Sequence, residues 1–166
     1  MKFILIGFMG SGKSTIGAQL AVQLQVPFTD SDTWIEEQTA TSVSSIFESE
    51  GESVFREWEQ RFVTQLDEKS EIISCGGGLP CFHNLMEILK AKGTVVYLKS
   101  SVETLVDRLK AEREDRPLLA SIPDETFIEE ITTRLALRES VYQQADLIIE
   151  TDGKTIQEIV EEIVAF

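Results

Sequence analysis

The sequence predicts an α/β fold of three layers, with helices on both faces of a five-stranded parallel sheet. Three features carry this expectation. Strand-like and helix-like runs alternate along the whole chain. The run Thr94-Val95-Val96-Tyr97-Leu98 is β-branched, aromatic or apolar at every position, as a strand covered on both faces must be. The first strand also passes through a glycine-rich turn directly into a helix.

The elements follow in order. Residues 2–6 form the first strand, and Gly7-Phe8-Met9-Gly10-Ser11-Gly12-Lys13-Ser14-Thr15 comes next. Within it, Gly7-x-x-x-x-Gly12-Lys13-Ser14 is a complete phosphate-binding loop pattern. Glycines let successive backbone N–H groups curl around phosphate oxygens, and the helix start behind them adds partial positive charge. In that pattern Lys13 reaches the outer phosphates and the Ser14 hydroxyl sits on Mg²⁺, so the chain is expected to bind ATP or GTP.

Residues 13–25 place Ile16, Leu20, Ala21 and Leu24 at helical spacing, and Pro27 ends the helix. A second strand at 26–29 delivers Asp30-Ser31-Asp32, two carboxylates that can serve an active site or cap the helix continuing through Trp34-Ile35-Glu36-Glu37. Thr41 to Phe47 reads as a short helix with Ser42 or Ser44 near its cap. A longer helix over 52–68 follows Gly51, with Phe55, Trp58, Phe62 and Leu66 as its buried face. Arg56 lies beside that face, where the simplest partner is a surface salt bridge to Glu52 or Glu59.

The third strand, 70–75, runs into Gly76-Gly77-Gly78, where the backbone can approach a ligand closely at a strand's carboxyl end. Ser74 at that end can hold a metal-bound water. Residues 84–92 are helical, the fourth strand is 94–98, and 102–112 is again a helix. Residues 113–124 are charged, contain two prolines and show no period, which suits an active-site lid whose arginines close over phosphates or pair with Glu112, Glu114 and Asp115. A long helix over 125–144 carries Arg134 and Arg138. The last strand, 146–150, turns through Thr151 to Lys154 into a final acidic helix over 155–165.

Composition narrows the function classes. At 166 residues with 42% apolar and 27% charged content, a single soluble domain spanning 1–166 is expected. No apolar run approaches the ~20 residues that span a bilayer, and the first residues lack a signal peptide's layout, so a cytoplasmic protein is expected. The net charge of −14 argues against nucleic acid or anionic membrane as partners. A phosphate loop still needs cations, so the few present must be concentrated around it. Cys75, Cys81 and His83 offer a metal site only three of four ligands, and free thiols are the expectation.

The chain resembles the shikimate kinase family, within the nucleoside-monophosphate-kinase-like phosphate-loop proteins. The resemblance runs through Gly7 to Thr15, Asp30-Ser31-Asp32 with Ile35-Glu36, and Gly51-Glu52 with Phe55-Arg56-Glu57-Trp58-Glu59. It continues in Ile73 to Gly78, Arg116-Pro117-Leu118-Leu119 and Arg138-x-x-x-Tyr142-x-x-Ala145-Asp146. The phosphate loop alone says only "nucleotide"; the ordered set is specific. It implies a phosphate-loop kinase fold with strand order 2-3-1-4-5, a substrate-binding region at about 31–61 and a lid at about 111–124. The implied reaction transfers the ATP γ-phosphate to the 3-hydroxyl of shikimate, with Mg²⁺, by a monomer.

By the same resemblance, Gly10, Ser11, Gly12, Lys13, Ser14, Thr15 and Arg116 bind the nucleotide, and Asp32, Lys13 and Arg116 are catalytic. Asp32, Arg56, Gly76, Gly77, Gly78 and Arg138 bind shikimate, with the two arginines on its carboxylate. Ser14 ligates Mg²⁺ directly, and Asp30 and Ser74 through water. Phe47 and Phe55 pack on the ring, and Glu59 holds Arg56. The lid is a residue or two shorter than the family's, Met9 stands where some relatives have proline, and Arg108, Lys110 and Arg113 compete for the remaining lid contact near adenine.

Overall fold

In the computed structural model, the described residues are 1–67, 69, 71–112, 119 and 122–166. Five strands are present among them: β1 (Lys2–Ile6), β2 (Phe28–Asp30), β3 (Glu71–Ser74), β4 (Thr94–Lys99) and β5 (Leu147–Glu150). They form one parallel sheet in the order β2-β3-β1-β4-β5, with Ile4 of β1 opposite Ile73 on one side and Val95 on the other. The connection from β1 leads to β2 on one side of the central strand and that from β3 to β4 on the other, which opens a crevice at the strands' carboxyl ends.

The helices among the described residues are α1 (Lys13–Leu24), α2 (Ser31–Thr39), α3 (Val43–Ser49), α4 (Glu52–Gln65), α5 (Leu85–Lys92), α6 (Val102–Ala111), α7 (Phe127–Tyr142) and α8 (Ile156–Val164). Strand alternation divides the core in two. Ile4, Ile6, Ile73, Val95 and Tyr97 face one layer, where they pack with Phe62 of α4, Leu89 of α5, Leu105 of α6 and Ile131 of α7. Phe3, Leu5, Ile72, Val96 and Leu98 face the other, with Leu20 of α1 and Val160 of α8. A satellite cluster of Ile35, Ile46 and Phe55 holds α2, α3 and α4 together beside the crevice.

Element boundaries shift where a backbone feature overrides periodicity. Helix α4 stops at Gln65, short of the predicted 68, because Leu66 turns extended at φ −56°, ψ 122°. Strand β2 is displaced to Phe28–Asp30, so Asp30 is both its last residue and the N-cap of α2. A 3₁₀ turn at Asp124–Thr126, closed by Thr126 N–H on Pro123 O, precedes α7. Of the predicted lid, residues 113–118, 120 and 121 lie outside the described residues, and Arg113 and Arg116 with them.

Candidate active site

A cavity of about 600 Å³ is lined by the segments that follow β1, β2, β3 and β5. Gly10 to Ile16, Asp30, Asp32, Phe47, Phe55, Arg56, Glu59, Ser74, the three glycines 76–78 and Arg138 all reach it. Five cations of this acidic chain, Lys13, Arg56, Arg108, Arg138 and Lys154, share its wall, as the charge balance requires.

The phosphate loop has the curl its glycines predict. Gly10 and Gly12 adopt φ 81° and 89°, a region where a side chain would be strained, and Ser11 N–H closes a turn on Phe8 O at 3.2 Å. Gly12 caps α1, leaving the helix start aimed at the cavity. The Lys13 ammonium donates to Gly7 O and Phe8 O, both at 2.9 Å, and is buried in the loop it serves. Arg108 donates to Gly10 O at 3.0 Å, whereas Lys110 is exposed and away from the cavity.

Asp30 caps α2 and also faces the phosphate loop. Its Oδ1 accepts from Asp32 N–H at 3.0 Å and Thr33 N–H at 3.4 Å, capping α2, and its Oδ2 accepts from the Ser14 hydroxyl at 2.7 Å. Ser74 Oγ lies 3.4 Å from Ser14 Oγ. The three side chains present a compact set of hard oxygen donors beside the loop, which fits Mg²⁺.

Asp32 sits in the first turn of α2. Burial pushes its carboxyl up to about 6; Asp30's charge adds to the rise and Lys13 opposes it. It is therefore ionised at neutral pH yet more basic than an ordinary carboxylate.

Arg56 and Glu59 face inward, not outward. Arg56 is 7% exposed and Glu59 is 0% exposed, with Arg56 Nη1 donating to Glu59 Oε2 at 2.7 Å and Nη2 to Glu52 Oε1 at 2.9 Å. The guanidinium also lies 4.0 Å from the Phe82 ring centroid. Glu59 Oε1 is buried with no hydrogen-bond partner. Burial consequently pushes Glu59 up to about 7, even with Arg56 pulling the other way. The signal for Glu59 was in the sequence: 55, 59, 62 and 63 share one helical face.

The glycine triplet is used for space and not for conformational freedom. A Cβ at Gly76 would lie 2.6 Å from Asp32 Oδ1, and one at Gly78 would lie 2.6 Å from Arg56 Nη1. The Gly76 N–H donates to the buried Ser31 hydroxyl at 2.8 Å, a tie between β3's end and α2 that no sequence pattern announced. Phe47 and Phe55 pack with ring centroids 4.7 Å apart on the same wall.

Beyond this set, Cys75 and Cys81 are free thiols, the first pushed up by burial and the second to about 11, so neither is poised as a nucleophile. No group of three or more His, Cys, Asp or Glu able to hold a metal occurs among the described residues, and none of the described helices is long and apolar enough to cross a membrane.

Comparison with known proteins converges on one family. Residues 9–166 match the family model described as shikimate kinase. The chain is 43% identical to the shikimate kinase of Sulfurihydrogenibium sp. over 160 residues, 96% of this chain and 93% of that one. The shikimate kinase of Bacteroides thetaiotaomicron superposes with a TM-score of 0.92 at 34% identity, covering 99% of this chain and 97% of the other. That of Acinetobacter baumannii, solved in complex with shikimate, gives 0.90 at 34% identity over 98% and 90%.

Proposed function

The chain belongs to the shikimate kinase family and phosphorylates shikimate with ATP in aromatic amino acid biosynthesis, and we propose that the 3-hydroxyl is the acceptor and that the residues of this one cavity divide the work between donor and acceptor. The observation that carries this reading is the shared wall: a phosphate loop on one side, and Asp32, Arg56 and Arg138 on the other.

In the proposed reaction the 3-hydroxyl oxygen bonds to the γ-phosphorus, the bond from that phosphorus to the bridging oxygen breaks, and ADP leaves. The hydroxyl proton passes to Asp32, whose raised basicity suits the task. Little covalent help is needed; alignment and positive charge at the developing anion are. Gly10 to Thr15 cradle the phosphates, Lys13 shifts from the loop carbonyls to the outer phosphates, and Arg116, assigned by the family resemblance alone, adds positive charge to them. Ser14 would hold Mg²⁺ directly and Asp30 and Ser74 through water, and the ion would neutralise charge on the β- and γ-phosphates.

The two planar guanidiniums of Arg56 and Arg138 take the shikimate carboxylate by paired hydrogen bonds. Gly76 is committed to Ser31, so the amides of Gly77 and Gly78 are those offered to substrate. Phe47 and Phe55 meet the apolar side of the ring. Arg108, lying on the cavity wall against Gly10, takes the adenine-side contact in preference to Lys110. The same reading makes the protein a cytoplasmic monomer that engages neither nucleic acid nor membrane, in keeping with its net charge of −14.

The position of the new ester tests the acceptor assignment. Incubation with Mg²⁺-ATP and shikimate should give one phosphate ester, on the 3-oxygen by proton–phosphorus correlation NMR. An ester at the 4- or 5-oxygen, or none, would contradict it.

Gly78→Ala tests the packing of Arg56. At φ −85°, ψ −22° the backbone accepts alanine, so the new methyl acts by displacing the Arg56 head. The shikimate KM should rise about tenfold with the ATP KM nearly unchanged, the cost of one degraded charged hydrogen bond, and the melting temperature should fall because the displaced head is also the partner of buried Glu59. Equal losses in both substrates would show a general disturbance instead.

A further inference from the structure

Three side chains tie helix α7 to the phosphate loop, to β4 and to the glycine turn of the cavity wall. Arg138 lies 5.5 Å over the ring of Phe8 in the phosphate loop. Glu139 Oε2 accepts from the Tyr97 hydroxyl of β4 at 2.8 Å. Tyr142, fully buried, stacks on Tyr97 with centroids 5.0 Å apart and donates its hydroxyl to Gly77 O at 2.5 Å. Burial pushes the Tyr142 phenol up, so it remains a donor at any working pH.

Gly77 is the point where the phosphate loop, the glycine turn and α7 come closest. A Cβ there would lie 3.3 Å from Met9 N of the phosphate loop and 3.6 Å from Arg138 Nη1. The peptide that follows is planar and trans, so its carbonyl and the Gly78 N–H point in opposite directions. Holding the Gly77 carbonyl against Tyr142 therefore turns the Gly78 amide to the other side of the chain, away from that hydroxyl.

We propose that Tyr142 is a positioning residue for the acceptor: its hydroxyl bond to Gly77 O fixes the glycine turn to α7, so that the Gly77 and Gly78 amides and the Arg138 guanidinium meet the substrate as one rigid unit. This rests on the shikimate reading above. Without that bond the half-buried carbonyl would lose the partner that fixes its direction, and the peptide could rotate the amide out of place.

Tyr142→Phe removes the hydroxyl and keeps the ring stack. Steady-state kinetics should show the shikimate KM raised about tenfold, with the ATP KM within about twofold of wild type. Tyr97→Phe, which breaks the neighbouring bond to Glu139, should leave the shikimate KM unchanged. The proposal is overturned by a shikimate KM within twofold of wild type in Tyr142→Phe, by an equal rise for ATP, by an equal rise in Tyr97→Phe, or by a Tyr142→Phe chain that does not fold. Failure of the wild-type protein to use shikimate would refute the underlying reading; only the comparison of variant with wild type speaks to Tyr142.

Discussion

Asp32→Asn is expected to lower kcat by about 10²- to 10⁴-fold, the range for removing a positioned general base, while the ATP KM moves by less than about threefold. The substitution is nearly isosteric and leaves the Asp30 cap on Asp32 N–H and Thr33 N–H in place. It should not destabilise the fold. The folded carboxyl of Asp32 lies at about 6 against an ordinary 3.8, so above pH 6 the ionised group is a cost that asparagine removes. The melting temperature at pH 8 should stay level or rise, which separates lost chemistry from lost structure. A kcat within threefold of wild type would remove Asp32 from the reaction.

Arg56→Ala has the second large effect, and it combines binding with stability. The shikimate KM should rise at least about 100-fold, as a charged hydrogen-bonding pair to the carboxylate is lost. Glu59 is then left fully buried without its cation, a situation that destabilises by about 3–5 kcal/mol. The sign of the pH dependence follows from Glu59. Its folded value of about 7 exceeds the ordinary 4.5, so in that window the folded protein holds a proton that the unfolded chain has lost. Its contribution to stability is therefore complete below 4.5 and is lost as pH rises through 7.

Removing Arg56 takes away the influence that lowers Glu59 and extends the window upward, so Arg56→Ala should melt much lower at pH 8 and recover toward wild type at pH 6. Adding Glu59→Gln should restore the pH 8 melting temperature without restoring the shikimate KM. A pH-independent loss would show that Glu59 does not carry the burial cost.

The layering and the sheet were legible because they rest on local patterns. Val95 to Leu98 declared a doubly covered strand, and the Gly7 to Ser14 spacing placed both the donor site and the strand–helix junction around it. What escaped was set by tertiary contacts. The inward turn of Arg56 is one case: Glu59 shares the helical face of Phe55, Phe62 and Val63, but Arg56 beside it reads as a surface residue until α4 packs against Phe82 and the glycine turn. Ser31 reads as a spacer between two carboxylates until β3 brings Gly76 N–H onto its hydroxyl. The glycine triplet signalled freedom, whereas the structure needs its empty Cα positions to seat Asp32 and Arg56. Asp30 shows why sequence alone could not choose between cap and site: one oxygen caps α2 and the other accepts from Ser14 of the phosphate loop.

The central claim is that the wall opposite the phosphate loop selects shikimate. A coupled ADP-release assay with Mg²⁺-ATP and a panel of shikimate, gluconate and nucleoside monophosphates measures that selection directly. The account predicts turnover with shikimate at a kcat/KM at least about 100-fold above any other acceptor, the discrimination available when buried polar groups are left unpaired by the wrong ligand. Turnover of gluconate or a nucleoside monophosphate with none of shikimate would contradict it.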